Sequence, residues 1–291
     1  MRISMVSKSY PNPEIPFKRA CLWILLSSLL ISGSALMGWL YYQSAKEKRL
    51  RGGQYQIVAI VQETPHQESL KTGYLAELLE LSLDQPANLY LFDSFEGEKK
   101  LLKSPLIKKV SIKKIRPGTL YIQYEMRSPI AYVGDYSNTA IDEDGILFPF
   151  RPFFTPKSIP TFYLGLSEHE GKWGVALQNV DRLQLARNVL KIFKEVATRE
   201  IAVKQIDVAE AYADSYGQRQ IVVKLEDRKD FLSRHISAET LLRLNPEHYK
   251  QNIVNFFSLD KVLNVKSKIN NGMTIIDLRI PHLAFYSQDE K

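Results

Sequence analysis

"SPLIKKVSIKKIRPGTLYIQYEMRSPIAYV", residues 104–133, decides how the rest of this 291-residue chain is read. Leu120, Ile122, Tyr124 and Met126 alternate with Tyr121, Gln123, Glu125 and Arg127. That is the period-two pattern of a strand with one buried face. Residues 107–115 read as a second strand, in which Val110, Ile112 and Ile115 belong in a core although cations surround them. Arg116-Pro117-Gly118 joins the two: proline fixes one φ and glycine accepts a positive one. The stretch predicts an antiparallel hairpin.

Its charge is unusual. Residues 103–116 hold six cations and no acid, which accounts for most of the chain's formal net charge of +7. The basicity is local. Nucleic-acid binding calls for aromatics between the cations and access to nucleic acid, and here the intervening residues are aliphatic. No nucleic acid is expected. A solvated strand face near anionic headgroups and a protein-partner surface both remain open for this run.

Upstream, residues 20–42 (ACLWILLSSLLISGSALMGWLYY) contain no charge. About 20 helical residues cross a bilayer core, and Trp39, Tyr41 and Tyr42 stand where an interfacial belt would be. A signal peptide has a shorter apolar core, about 7–15 residues, so a retained transmembrane helix is the reading preferred over a cleaved leader. Lys18 and Arg19 precede the segment, and Lys46, Lys48, Arg49 and Arg51 follow it. Charge does not fix the orientation. The mass of the following chain favours a short cytoplasmic tail over residues 1–19, with the remainder extracytoplasmic.

Around the hairpin a module emerges over residues 54–127. Residues 54–61 read as a strand. Thr64, Pro65 and Gln67 carry a capping-box signature, followed by Leu70, Tyr74, Leu78 and Leu81 at helical spacing, with Leu75 and Leu79 widening the stripe. Asp93 or Ser94 caps a second helix over 95–103. The predicted order is β-α-α-β-β.

Residues 128–291 have a different texture. Asp144-Gly145 marks a hairpin turn, with Asp142, Glu143 and Asp144 read as a solvated tip. Residues 149–160 hold four prolines and read as a surface loop. Asn179 caps an amphipathic helix to about Thr198, with Leu183, Ala186, Val189, Leu190, Phe193 and Val196 inward. Strands are expected at 206–208 and 220–225, a helix from Asn245-Pro246 with Ile253, Phe256 and Phe257 on its inner face, and one last strand over 273–286. The fold class is α+β: a transmembrane helix, a small β-α-α-β-β domain and a mainly antiparallel β domain with two helices.

Catalytic signatures are lacking. The sequence has no phosphate-binding glycine loop, no HExxH and no nucleophile elbow. Its one cysteine, Cys21, lies in the apolar segment, so no intramolecular disulfide is possible. Neither an enzyme activity nor a cofactor or metal is expected. An anchored wall hydrolase with unmarked carboxylates is the weakest alternative.

Four stretches together resemble one family, the cell-division protein FtsQ, called DivIB in Gram-positive bacteria. "NLYLFD" (88–93) is similar to its asparagine–hydrophobic–aspartate element. In the opening stretch Pro105, Lys109, Val110, Ile112, Lys114, Pro117, Leu120, Ile122, Glu125, Pro129 and Ala131 fall in register. "AIDEDGILF" matches at Asp142, Gly145 and Phe148, and "IIDLRI" at Asp277, Leu278 and Arg279. Departures are Leu106 in place of a tryptophan, Gln85-Pro86 where a glycine is common, and Ile280-Pro281 where a tyrosine follows the arginine.

The resemblance implies a POTRA domain over 54–127 and a β domain over 128–291. It implies a cytoplasmic N-terminus, an inner-membrane location at the division septum, and a non-enzymatic scaffold. FtsB and FtsL would bind at the C-terminal strand, and an upstream division protein at the POTRA domain. On this reading the partner-binding residues are Ile276, Leu278, Arg279, Ile280, Leu283 and Phe285. Ile276, Leu278 and Ile280 would share one strand face, with Arg279 reaching an acidic group on the partner. Another POTRA-bearing envelope accessory protein for transport or secretion is the alternative.

Overall fold

The computed structural model describes residues 17–65, 68–82, 84–178, 180–196, 201–231, 234–263 and 273–288. It is an α+β protein with one long apolar helix and two sheets. Helix α1 (Phe17–Arg51) is 35 residues long, about 52 Å at 1.5 Å per residue. It is long and apolar enough to cross a membrane, and none of its residues is buried against protein.

After a 3-10 turn, Gly53–Tyr55, come β1 (Ala59–Glu63), α2 (Thr72–Leu78), α3 (Ser94–Leu102), β2 (Ile107–Ile115) and β3 (Thr119–Met126). The three strands form one sheet in the order β1-β3-β2, with β1 parallel and β2 antiparallel to β3. Both strands of the opening stretch are found where their alternation put them. Leu120, Ile122, Tyr124 and Met126 are buried. Ile107 and Ile112 are buried too, although an odd and an even residue cannot share a face of a regular strand. A bulge between Ile107 and Lys109 supplies the extra residue and returns Val110 and Ile112 to the core side. Beyond it Ile115 faces outward and is 47% exposed, so its expected core position is wrong.

The first strand and helix both begin later than their sequence signals. Ile57 N–H donates to Ala87 O, which leaves β1 to start at Ala59. Residues 66 and 67, and hence Gln67 of the capping box, lie outside the described residues. The helix does not start at Pro65: it starts at Thr72 with Lys71 as N-cap. Leu70 is buried first, its N–H donating to the Tyr124 hydroxyl at 2.7 Å, and that hydroxyl donates to Gln62 Oε1 at 2.9 Å. A tertiary contact with the sheet outweighs the local cap. Glu80, at φ 57°, ends the segment. In α3 the cap is the expected one, with Asp93 Oδ1 accepting from Phe95 N and Glu96 N.

The second sheet is built from β4 (Ala131–Val133), β5 (Thr139–Ile141), β6 (Leu147–Pro149), β7 (Thr161–Tyr163), β8 (Ile201–Asp207), β9 (Ile221–Phe231), β10 (Arg234–Leu244), β11 (Thr274–Asp277) and β12 (Phe285–Gln288). The order is β12-β11-β10-β9-β8-β7-β4-β5-β6. Most pairs are antiparallel; β4–β7, β7–β8 and β10–β11 are parallel. Helices α4 (Val180–Val196) and α5 (Tyr249–Leu263) bury Leu183, Val189, Phe193, Ile253 and Phe256 with Phe162, Ile206, Val223, Leu242 and Ile276 in one core. Asn179 and Thr198 lie outside the described residues, and Val196 is exposed. Two strand readings fail: β9 runs past residue 225, and β10 has no counterpart in the expectations. The polar alternation of residues 234–244 hides a strand that pairs with β9 along its whole length.

The proline-rich stretch after β6 is not a surface loop throughout. Phe150 and Phe154 are buried, and with Ala140 and Phe148 they join Leu75, Leu101, Leu120, Ile122 and Met126 in the other core. Asp142 is likewise no solvated tip. It is 3% exposed and accepts from Asp144 N at 3.0 Å, Ile146 N at 2.9 Å and Arg127 Nη1 at 2.7 Å. Gly145, at φ +78°, closes this loop in a conformation that favours glycine.

Candidate partner-binding edge

The expected final strand over 273–286 is a hairpin. β11 pairs in parallel with β10, and the chain then turns so that β12 pairs antiparallel with β11. Pro281 lies in the turn and lacks the N–H that a continuing ladder needs. His282 follows at φ 62°. Two asparagine side chains and one backbone carbonyl from neighbouring elements hold the turn. Asn252 Nδ2 donates to Leu278 O at 2.8 Å, Asn245 Nδ2 donates to Arg279 O at 3.2 Å, and Leu278 N donates to Arg243 O at 2.9 Å.

The six expected contact residues divide into three groups. Ile276 and Leu278 are buried in the core beneath α5. They position the hairpin and offer no surface. Ile280, Leu283 and Phe285 stand 51%, 55% and 55% exposed, an apolar group on and beside β12. Ile280 therefore does not share a buried face with Ile276 and Leu278.

Arg279 is the third case. Its Nε lies 3.0 Å from Asp277 Oδ1, its Nη2 2.8 Å from Asp277 Oδ2, and its Nη1 donates to Gly217 O at 3.2 Å. The guanidinium is taken up within the chain and not held out for an acidic partner. Burial pushes the Asp277 carboxyl up, but hydrogen bonds from the Arg279 side chain and backbone outweigh this and leave it below the ordinary aspartate range.

Edge strands expose unpaired backbone groups and invite another strand. On β2 the outer side is covered: Ile112 N–H donates to Glu98 Oε1 at 2.7 Å. On β6, Gly174 N–H donates to Leu147 O at 2.8 Å, and Pro149 has no N–H to offer. β1 is an edge with Val58 and Val61 exposed. β12 is the edge with the largest exposed apolar group beside it. Register places Phe285 across from Asp277 and Tyr286 across from Ile276, so the two rings lie on opposite faces of the sheet. Tyr286, half exposed, is the residue that the sequence reading left out. The aromatic pair in "HLAFY", next to the last strand, is the signal that would have found it.

A cleft of about 480 Å³ opens between the two sheets, lined in part by Glu68, Arg127, Phe154, Thr155 and Lys157. Its charges are already matched: Glu68 accepts from Thr155 Oγ1 at 2.6 Å and pairs with Lys157 at 3.1 Å, and Arg127 pairs with Asp142. This is a seam, with no charge left over for a ligand. Among the described residues no three His, Cys, Asp or Glu side chains converge to hold a metal ion.

No family model matches the chain, and no curated protein matches it.

Proposed function

We propose that this chain is a non-enzymatic scaffold of the cell-division machinery that resembles the FtsQ/DivIB family. It is held in the inner membrane by α1, with its N-terminus in the cytoplasm and both sheets outside, at the septum. In this reading β1-α2-α3-β2-β3 is a POTRA domain, and the nine-stranded sheet is the β domain. An extended segment of a small partner resembling FtsB adds to β12 as one more strand, with main-chain bonds giving affinity and side-chain pockets giving register. FtsL would join through that partner. The β1 edge is left for an upstream division protein.

One observation carries the reading: among the described residues β12 is the end strand of the larger sheet, flanked by exposed Ile280, Leu283 and Phe285. Supporting it are the element order after an apolar helix and the four motif resemblances. The location of those motifs is consistent with it. Asn88 ties the end of α1 to the first sheet, the buried Asp142 carboxylate closes a tight loop, and Asp277 fixes Arg279 beside the edge.

A photo-crosslinking residue at Phe285 in dividing cells tests the proposal. Adducts with small single-pass division proteins, absent when the same probe replaces exposed Trp173, are the expected result. Adducts with translocation components would instead favour the envelope-transport reading, and a full-length fusion that does not gather at the septum would refute the division role.

A further inference from the structure

The end of the basic strand lies beside the exit of the apolar helix. β1 and β3 run parallel with Ala59 opposite Thr119, so the β2–β3 turn sits at the start of β1. Only residues 52–58 separate that point from Arg51. Val58 N–H donates to Gly118 O at 2.9 Å. Asn88 Nδ2 donates to Arg49 O and Leu50 O, both at 3.0 Å. The Arg49 and Arg116 guanidinium groups lie 5.9 and 5.7 Å from the centre of one ring, that of Tyr90.

Lys113, Lys114 and Arg116 are exposed there. The other two lysines of β2 have acids: Lys109 pairs with Glu125 and Lys108 with Asp144. Arg49, Arg51, Lys113, Lys114 and Arg116 have no ion-pair partner among the described residues. We propose that these five form a docking surface for the anionic headgroups of the membrane that α1 crosses. The inference rests on α1 being a membrane span, and it does not depend on what occupies β12.

Distance decides the kind of contact. Arg51 stands nine residues beyond Tyr42, the last of the uncharged segment, which places it about 14 Å above the hydrocarbon. The headgroup layer takes up roughly 5–7 Å of that. The remaining gap is close to the Debye length of about 8 Å at physiological salt and to the reach of a long basic side chain. The attraction is therefore electrostatic and sensitive to salt, without insertion of the exposed Ile115.

The test uses the full chain in lipid nanodiscs, in a Cys21→Ser background with a spin label at Ile115→Cys. Collision with a neutral aqueous nickel chelate is measured in phosphatidylcholine alone and with phosphatidylglycerol added. Chelate access should fall on the anionic bilayer and recover in high salt. Each charge removed in Lys113→Gln, Lys114→Gln and Arg116→Gln should shift the docked-to-free ratio by about fivefold. A label at Tyr216→Cys, in the loop between β8 and β9, should not respond to lipid composition. Equal access at position 115 in both lipids, or a fall that neither salt nor the three substitutions reverse, overturns the docking. A label at Leu29→Cys tests the span itself: if it collides freely with the chelate, α1 is not in the bilayer and the docking falls with it.

Discussion

Asp142→Ala should be among the most damaging single changes in the chain. Arg127 and Asp142 side chains are 12% and 5% exposed and 2.7 Å apart. Removing one partner of a buried ion pair costs about 3–5 kcal/mol, because the other charge stays behind. Two more acceptor bonds go with the carboxylate, those from Asp144 N and Ile146 N. A donor left unpaired away from water costs about 1–3 kcal/mol, and these two, on exposed Asp144 and half-buried Ile146, lie at or below the low end. Two features lower the total: Arg127 Nε keeps Pro105 O at 3.1 Å, and Asp144 stands 3.9 Å from Nη1 as a substitute. A net loss of about 3–4 kcal/mol follows. Asp142→Asn keeps an oxygen for the two loop N–H groups and loses the charge, so about 1–2 kcal/mol is expected. Lys108→Gln removes an exposed pair with Asp144 and should leave stability unchanged within error. The assay is denaturant unfolding of the full chain in detergent, followed by near-UV dichroism. The ranking Asp142→Ala, then Asp142→Asn, then Lys108→Gln is the expected result. If Asp142→Ala stays within about 1 kcal/mol of the parent chain, the loop opens to water and the seam between the sheets is not held as described.

Three further outcomes follow from the geometry. Phe285→Ala and Leu283→Ala should abolish capture of an edge-adding partner segment in a pull-down and leave the melting temperature unchanged, since both side chains are exposed. Ile112→Asp should cost several kcal/mol by burying an unpaired charge; Ile115→Asp should be nearly silent in the same melt, and reversed ranks would mean the bulge is misplaced. The Asp277 carboxyl titrates lower when folded than when unfolded. Its contribution is therefore complete above about pH 4 and is lost as the pH falls through the folded value. Melts taken from neutral to acid pH should show a limb that Asp277→Asn flattens.

What could be read from sequence follows the range of the forces involved. The alternation in 119–126 and the Asp93 cap are local, and they appear in the structure as expected. Thr64-Pro65 is just as local, but Leu70 bonds to Tyr124, 54 residues away, and no helical signal encodes that partner. The bulge that returns Val110 and Ile112 to the core is set by pairing with β3, not by residues 107–115 alone. Phe150 and Phe154 sit among prolines that mark a loop, and only the opposite core explains their burial. At the candidate edge, the apolar residues of 276–285 were visible in sequence, whereas their division between core and surface depends on the turn at Pro281. Arg279 pairs within the chain because Asp277 lies two residues away on the same strand face, a contact that the alternation of 276–280 contains but does not single out.

The shared core has a mechanical consequence. β12 begins an unbroken series of hydrogen-bonded neighbours that ends at β6, and Phe148 of β6 is packed in the core of the smaller sheet. That sheet is tied through Asn88 to the end of α1. A pull on β12 therefore travels through hydrogen-bonded and packed neighbours to the end of α1. Along this path the pairing of β12 with β11 spans four residues, against eleven between β9 and β10. Under rising tension the β12 pairing shears before the longer ladder does. Pairings further along the path are shorter still, two residues each at β4–β5 and β4–β7, but there Ala131, Val133 and Ile141 are locked in the core. Phe285 and Tyr286, by contrast, are exposed, so the outermost strand acts as a fuse that parts first while both cores stay folded.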